Sequence, residues 1–526
     1  MEKVVYIKTV NKDNLWFDLI SNWRDKHNWT PSVIVGDNKK NESFIKGGFE
    51  NTELYNHKEA MIGARPDFLS TQHVFSEKEL NFISDYENDF IAMIDRWSVN
   101  SGKIDYFTLR NYFINMVGVW LGILKDKNIT VIILPSIPHR LYDYACYVAS
   151  KMLNIPYLMI ERTGEIRLKG KRYALSGFVV DDLFDRTKTL YGQYLKEKIV
   201  LSDSDFELIT HLQGSYSNSM PNYYKEKELK SKQKSTLFSS VYGILKLIKK
   251  VIIFMVIGFK KSESMLKFTL KSKVNSMPRN ALRVEVFIES IVNKIRVHNA
   301  IKFYNNNLSK PNYEDTYIYI APHFMPERST VPDAGYFQDL EMIIDLIFKN
   351  IPSHWKIYYK EHKRNTRKPI EWNNILRTKC YMRIFKKYPN LTFINPDTNP
   401  YDLIDNSVFV ATATGTTGWQ SIVRGKPAVI FGDAWYRQFP GVFYIKSNKD
   451  IVDAINKIKK GVEISNNEIA GYAKFCLANS SGVFELTRYE DLEKIKIENN
   501  SEYLRLINEY CQHFVKKFES LSVNEY

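Results

Sequence analysis

Three short stretches of this chain carry side chains suited to gripping a phosphate. The first lies in Thr412 to Tyr436, TATGTTGWQSIVRGKPAVIFGDAWY. Thr412, Thr414, Thr416 and Thr417 offer hydroxyl donors, and Gly415 and Gly418 carry no Cβ to keep an anion from the backbone N–H groups. The helix expected after this loop turns its positive end to the same point. An ordinary strand-to-helix turn with a threonine cap has the same pattern. The second stretch is Lys360-Glu361-His362-Lys363, and the third is Ala321 to Thr330, APHFMPERST. Arg328, Lys360 and His362 can neutralise a diphosphate, and Glu327 can accept hydrogen bonds from a ribose or base. Gln420, on the expected helix, can hold a ribose hydroxyl or face a neighbouring helix. Tyr436 can stack on a ligand or pack in the core.

The first half of the chain offers groups of another kind. Ser136, His139, Arg140 and Asp143 follow the apolar run ITVIIL, and Glu161, Arg162, Thr163, Gly164, Glu165 and Arg167 follow YLMI. Attack by a sugar hydroxyl on an anomeric carbon calls for a carboxylate or imidazole base. Asp143 and His139 qualify, but the Glu161–Glu165 loop is favoured because it directly follows a buried strand and contains Gly164. The candidates for catalysis are Glu161, Glu165 and His362. Those for ligand binding are Glu327, Arg328, Lys360, Thr414, Gly415, Thr416, Thr417 and Gln420.

These groups must be positioned by alternating strands and helices. Ile129–Leu134, a loop, the helix Tyr142–Leu153 and the strand Tyr157–Ile160 form a strand–helix–strand unit of a parallel sheet. The pattern resumes at Thr316, with strands at Tyr317–Ala321, Trp355–Lys360, Leu391–Ile394, Ser407–Ala411 and Ala428–Gly432. Asp181-Asp182 reads as a helix start. The implied class is α/β, with two facing Rossmann-like domains and a ligand cleft outside the strand C-terminal ends. The expected divisions are 1–200, a Rossmann-like domain; 201–314, a helical lysine-rich insert; 315–485, a second Rossmann-like domain; and 486–526, a helical tail.

With 526 residues, more than one core is expected. A net charge of +15 favours anionic partners. Nucleic acid is the weakest of these, because no zinc-finger spacing, RNA-binding sheet motif or recognition helix is present. The four cysteines are scattered without a CxxC, which fits a reducing cytoplasm and gives no zinc site. No apolar run reaches membrane-spanning length. Ile244–Lys261, ILKLIKKVIIFMVIGFKK, reads either as a basic helix lying on an anionic membrane surface or as a buried domain linker.

Four segments together resemble the bacterial capsule polysaccharide biosynthesis proteins, a group that includes the retaining β-Kdo transferases. They are Phe324–Asp339, Tyr358–His362, Thr412–Gly432 and Pro138–Glu161. The resemblance implies a GT-B fold, donor on the C-terminal domain and acceptor on the N-terminal one. It places the family's lysine–histidine element on Lys360 and His362, and its phosphate loop on Thr414–Thr417. Lys363 stands where the family has proline, Gln420 where many members have glutamate, and Glu161-Arg162-Thr163-Gly164 loosely echoes a Glu-Asp-Gly-Phe element. The expectation is a cytoplasmic, membrane-peripheral, metal-independent glycosyltransferase with no cofactor beyond its nucleotide-sugar donor. It would extend a capsule or O-antigen glycan on a glycan or lipid-linked acceptor. A polyol-phosphate transferase or sugar-nucleotide epimerase would use the same cleft, and a non-catalytic polysaccharide- or membrane-binding scaffold would use the lysines alone.

Overall fold

The computed structural model describes residues 1–7, 13–36, 48–70, 73–97, 105–134, 136–161, 165–168, 171–174, 177–184, 188–216, 284–323, 328–363, 365, 375–478 and 495–522. The first domain is built on strands β1 (Glu2–Ile7), β2 (Trp29–Gly36), β3 (Glu53–Asn56), β4 (Val131–Leu134), β5 (Tyr157–Glu161) and β8 (Phe178–Val180). Their order is β3-β2-β1-β4-β5-β8, parallel except for the last pair. β4 and β5 are buried along their whole length, as continuous apolar runs in a helix-covered parallel sheet should be. A separate antiparallel hairpin joins β6 (Glu165–Leu168) to β7 (Lys171–Ala174).

The second domain carries β9 (Leu308–Ser309), β10 (Tyr317–Ile320), β11 (Lys356–Lys360), β12 (Leu391–Ile394), β13 (Val410–Thr412), β14 (Ala428–Ile430) and β15 (Val442–Tyr444). All pairs are parallel, in the order β15-β14-β13-β10-β11-β12-β9. In the first sheet the chain starts at the centre with β1, runs to one edge, then returns to build the other side; in the second, after the edge strand β9, it goes from the central β10 outward through β11 to β12 and returns to build the other side from β13 to β15. That reversal creates a switch point, between β1 and β4 in one sheet and between β10 and β13 in the other, where parallel sheets open a crevice.

The helix-to-strand turns show how local chemistry places these strands. Asn28, Asn128 and Asn154 take left-handed backbone conformations, with φ of 56°, 49° and 54°, each between a helix and the next strand. Gly425 does the same before β14 at 71°. At Asn128 the Ile129 N–H bonds back to Leu124 O at 3.0 Å, and at Gly425 the Lys426 N–H bonds to Ser421 O at 2.9 Å. These close the helix C-terminus by the usual left-handed cap, which asparagine and glycine adopt most cheaply.

Four expectations change. The second domain begins before residue 315, because the helix Val284–Asn306 packs on the helix Ile375–Lys387 and β9 joins the sheet edge. The helix Asp203–Gln213 also packs on the second domain: Gln213 Nε2 donates to Val423 O at 2.7 Å and Lys474 pairs with Asp205 at 2.7 Å. The final helix, Asn500–Ser522, crosses back to the first domain. There Tyr510, Cys511 and Phe514 are buried beside Trp23, whose indole N–H donates to Cys511 O at 3.2 Å. Asp181 and Asp182 start no helix; they pair with Lys517 at 2.7 Å and Lys151 at 3.0 Å. All four cysteines are buried free thiols. Among the described residues no helix is long and apolar enough to cross a membrane. Ile244–Lys261 lies outside those residues.

Candidate functional site

The loops after β10, β11 and β13 meet at the second sheet's switch point, and side chains tie them together. His323, three residues beyond β10, accepts a hydrogen bond at Nε2 from the Thr414 backbone N–H at 2.8 Å. That bond requires Nε2 to be unprotonated, so the neutral ring carries its proton on Nδ1. Thr412 Oγ1 donates to Ala321 O at 2.9 Å, and Thr414 Oγ1 donates to Ser329 O at 2.7 Å. Two of the four threonine hydroxyls expected to face an anion therefore hold the loops to each other.

The β11 end is organised by Glu361. Alternation along an extended chain sends Lys360 and His362 one way and Glu361 the other. Glu361 is fully buried, and its carboxylate accepts four hydrogen bonds. They come from Tyr359 Oη at 2.8 Å, Tyr381 Oη at 2.6 Å, the His362 N–H at 2.6 Å and Asn365 Nδ2 at 2.8 Å. Asn365 Nδ2 also donates to His323 O at 3.2 Å, which links the β11 loop to the β10 loop. The sequence reading named Lys360 and His362 but missed Glu361 and Asn365. The signal was available in the parity of the strand, which buries a carboxylate between two polar residues. Lys360 is only 8% exposed; burial, reinforced by Lys363, pulls its pKa down to about 8. Lys363 itself pairs with Asp397 at 3.4 Å, tying this loop to the one after β12.

The helix Thr416–Val423 starts at this junction, with Gly415 as its extended cap residue. Thr416 is exposed, and Thr417 and Gln420 are half-buried. No described residue accepts a hydrogen bond from the Thr416 or Thr417 N–H, so this end is available to an anion. Thr330, on the crevice wall with His323 and Thr412, is 3% exposed, and its Oγ1 has no partner among the described residues.

The glycines serve a purpose other than the expected one. A Cβ on Gly415 would lie 2.6 Å from Thr412 Oγ1 and 3.2 Å from His323 Cε1, and one on Gly418 would lie 2.4 Å from Tyr436 Oη. Both Cβ directions point into protein, so glycine is needed for loop packing rather than for access by a ligand. Tyr436 is fully buried and its hydroxyl donates to Gly415 O. It braces the loop from behind.

Across the cleft, Arg328 reaches the first domain. Its Nη2 is 3.7 Å from Glu161 Oε1 at the end of β5, and its Nε is 3.3 Å from Asp333 Oδ2. The side chains of Glu161 and Asp333 are each 3% exposed. A second seam contact follows β14, where Asp433 pairs with Arg437 at 2.7 Å and Arg437 donates to Phe184 O at 3.1 Å. Asn88 Nδ2 donates to Tyr336 Oη at 3.1 Å, which makes a third. Two other base candidates are engaged in local contacts. Asp143 accepts from the His139 and Arg140 N–H groups at 3.0 and 2.7 Å, capping the helix Leu141–Met152. His139 Nδ1 lies 2.6 Å from Ile137 O. Glu165 opens the β6–β7 hairpin outside the main sheet, and Glu327 lies outside the described residues. Among the described residues no group of three or more His, Cys, Asp or Glu side chains is arranged to hold a metal.

The chain is thus a two-domain α/β protein with Rossmann-like sheets of six and seven strands, the GT-B type, and a junction of three loops at the switch point of the second sheet. Residues 300–462, most of that second domain, match the family described as capsule polysaccharide biosynthesis protein, which establishes over this region the resemblance read from the sequence. No curated protein matches the chain. Among solved structures, the Thermosulfurimonas dismutans KpsC β-Kdo 2,4 transferase aligns at 13% identity over 66% of this chain and 79% of that one, with a TM-score of 0.26. The Methanocaldococcus jannaschii UDP-GlcNAc 2-epimerase aligns at 10% identity over 90% and 98%, with a TM-score of 0.24. Anabaena HepE, in complex with UDP and glucose, aligns at 9% identity over 94% and 100%, with a TM-score of 0.24. At such scores these likenesses carry no weight, and the strand orders alone define the architecture.

Proposed function

We propose that the protein is a glycosyltransferase of capsule or related surface-polysaccharide synthesis, moving a sugar from a nucleotide donor to a growing glycan. One observation carries this reading. The open N-terminal end of the helix Thr416–Val423 is tied, through His323 and Asn365, to the loop bearing Lys360 and His362. A phosphate there would meet backbone N–H groups, a lysine and an imidazole in a partly buried crevice, where charge interactions are strong.

In this reading the second domain holds the donor and stabilises the departing nucleotide. Lys360, His362, Thr416 and Thr417 face the phosphates, Gln420 the ribose, and Glu327 the ribose or base. The acceptor lies against the first domain, near Glu161 and the hairpin opened by Glu165. Arg328, paired with Glu161, closes the cleft between them. Positive charge on the protein takes the part a metal would otherwise play in leaving-group stabilisation. The site operates on the cytoplasmic side, where nucleotide sugars are made, on a glycan or lipid-linked acceptor.

Thermal shift against CMP-, UDP-, GDP- and CDP-linked sugars tests the reading, because a bound ligand raises the unfolding temperature by mass action. One nucleotide class should stabilise the wild type and not Lys360→Met. Nucleotide release should then require acceptor. Binding with no release under any acceptor would favour an epimerase, and stabilisation by none would end the nucleotide-sugar reading.

A further inference from the structure

Three consecutive residues of the helix Glu77–Trp97 hold aromatic side chains along the cleft. Glu87 accepts from Tyr106 Oη at 2.6 Å and from Arg110 Nε at 2.8 Å. Asn88 Nδ2 donates to Tyr336 Oη at 3.1 Å, and Tyr86 packs on Phe184 with ring centroids 6.3 Å apart. Phe107 stands edge-on to Tyr106 at 5.7 Å. These rings are not core. Tyr336 is 68% exposed, Phe107 69%, Tyr106 51% and Phe184 42%. Tyr106 and Phe107 begin the helix Tyr106–Asp126, which leads into β4 and so runs against that strand. Its first turn therefore lies at the C-terminal edge of the first sheet, the edge where Glu161 meets Arg328 of the second domain. Tyr336 belongs to the second domain and precedes Phe337 and Gln338, which line the crevice with His323 and Thr330. Phe184 lies at another seam contact, where its carbonyl accepts from Arg437.

Exposed aromatics gathered in one place mark a binding surface rather than a need of folding. Here the two tyrosine hydroxyls are tethered while much of each ring is left to solvent, so the rings are ordered before any ligand arrives. Resting on the transferase reading above, we propose that Tyr106, Phe107 and Tyr336, with Phe184 beside them, form the acceptor subsite, a platform on which successive sugars of the glycan stack behind the unit being extended. The apolar C–H face of a pyranose lies on an aromatic ring, and the hydroxyls at its edge reach Asn88 and the tyrosine oxygens. A lipid surface or a protein partner calls for continuous aliphatic surface, whereas these rings alternate with the polar side chains of Glu87, Asn88 and Arg110. Tyr336 gives the second domain a share in holding the acceptor, next to the crevice assigned to the donor.

The probes are oligosaccharides of graded length, cut by mild acid from the surface polysaccharide of cells that carry this chain and titrated by calorimetry without donor. Wild type should bind the longer fragments more tightly than single sugars. Phe107→Ala and Tyr336→Ala should each weaken the longer fragments by about 10-fold, a usual loss for a truncated aromatic anchor. Tyr336→Phe keeps the ring and loses the Asn88 bond, and should stay within about threefold of wild type. Melting temperatures and the donor-induced thermal shift should not change in any of the three, because both side chains are exposed. No fragment binding by wild type, or Phe107→Ala and Tyr336→Ala both within about threefold of it, overturns the platform. A loss in Tyr336→Phe as large as that in Tyr336→Ala also overturns it, since the residue would then be a tether between domains. Loss of retention on phosphatidylglycerol vesicles in Phe107→Ala, with fragment binding untouched, overturns it in favour of a membrane surface. Fragment binding that needs these rings, with no nucleotide release from any donor, supports the platform and ends the transferase reading.

Discussion

Arg328 of the second domain reaches Glu161 at the end of β5 in the first, with 3.7 Å between guanidinium nitrogen and carboxylate oxygen. Two residues singled out separately, one for phosphate and one for base chemistry, are partners across the cleft. Residues in direct contact couple by roughly 0.5–3 kcal/mol in double-mutant cycles. Glu161→Gln, Arg328→Ala and their combination should therefore be non-additive in turnover at low substrate. Additive losses would show that the pair does not act as a unit.

Lys360 should make nucleotide binding pH-dependent. Its pKa is pulled down to about 8 by burial and by Lys363, so it is charged below that value and neutral above. Affinity measured by calorimetry should fall as pH rises through 8. Lys360→Met should bind about 10- to 100-fold more weakly at pH 7 and lose that dependence, in line with a charge-assisted hydrogen bond. Folding follows the opposite sense. A lysine whose folded value lies below its unfolded value of about 10.4 costs stability when charged, and the cost is relieved as pH climbs from 8 to 10.

Glu361 should matter more than its neighbours for stability. Each carboxylate oxygen takes two donors, and glutamine replaces one acceptor oxygen with a donor amide. Glu361→Gln should cost about 1–3 kcal/mol, and Glu361→Ala more, because four buried donors lose their acceptor. Urea unfolding followed in the second domain measures this. A change below 0.5 kcal/mol in both variants would mean that the network contributes little.

Gly418→Ala should destabilise without any ligand present. The new methyl would meet Tyr436 Oη at 2.4 Å and its ring carbons at 3.0 Å. Overpacking of this kind costs roughly 1–3 kcal/mol. Adding Tyr436→Phe should restore part of the loss, since the hydroxyl is the nearest atom. If glycine served only ligand access, Gly418→Ala would leave the apo melting temperature unchanged.

Much of this molecule can be read from local pattern alone. The apolar runs at Val131–Leu134 and Tyr157–Glu161 specify buried parallel strands, and Asn154 and Gly425 mark where helices must stop. The three loops at strand ends were legible as well, because strand polarity decides which end of a sheet gathers them. The tertiary structure decided how their residues are used. Thr412 and Thr414 look like ligand donors until the β10 loop supplies carbonyls for them, and Asp143 looks like a base until two chain N–H groups beside it share its Oδ1. Periodicity and turn chemistry act over a few neighbouring residues, so composition in a short window reveals them. Hydrogen-bond partners, desolvation and charge pairing depend on groups brought from distant parts of the chain, and only folding brings those together.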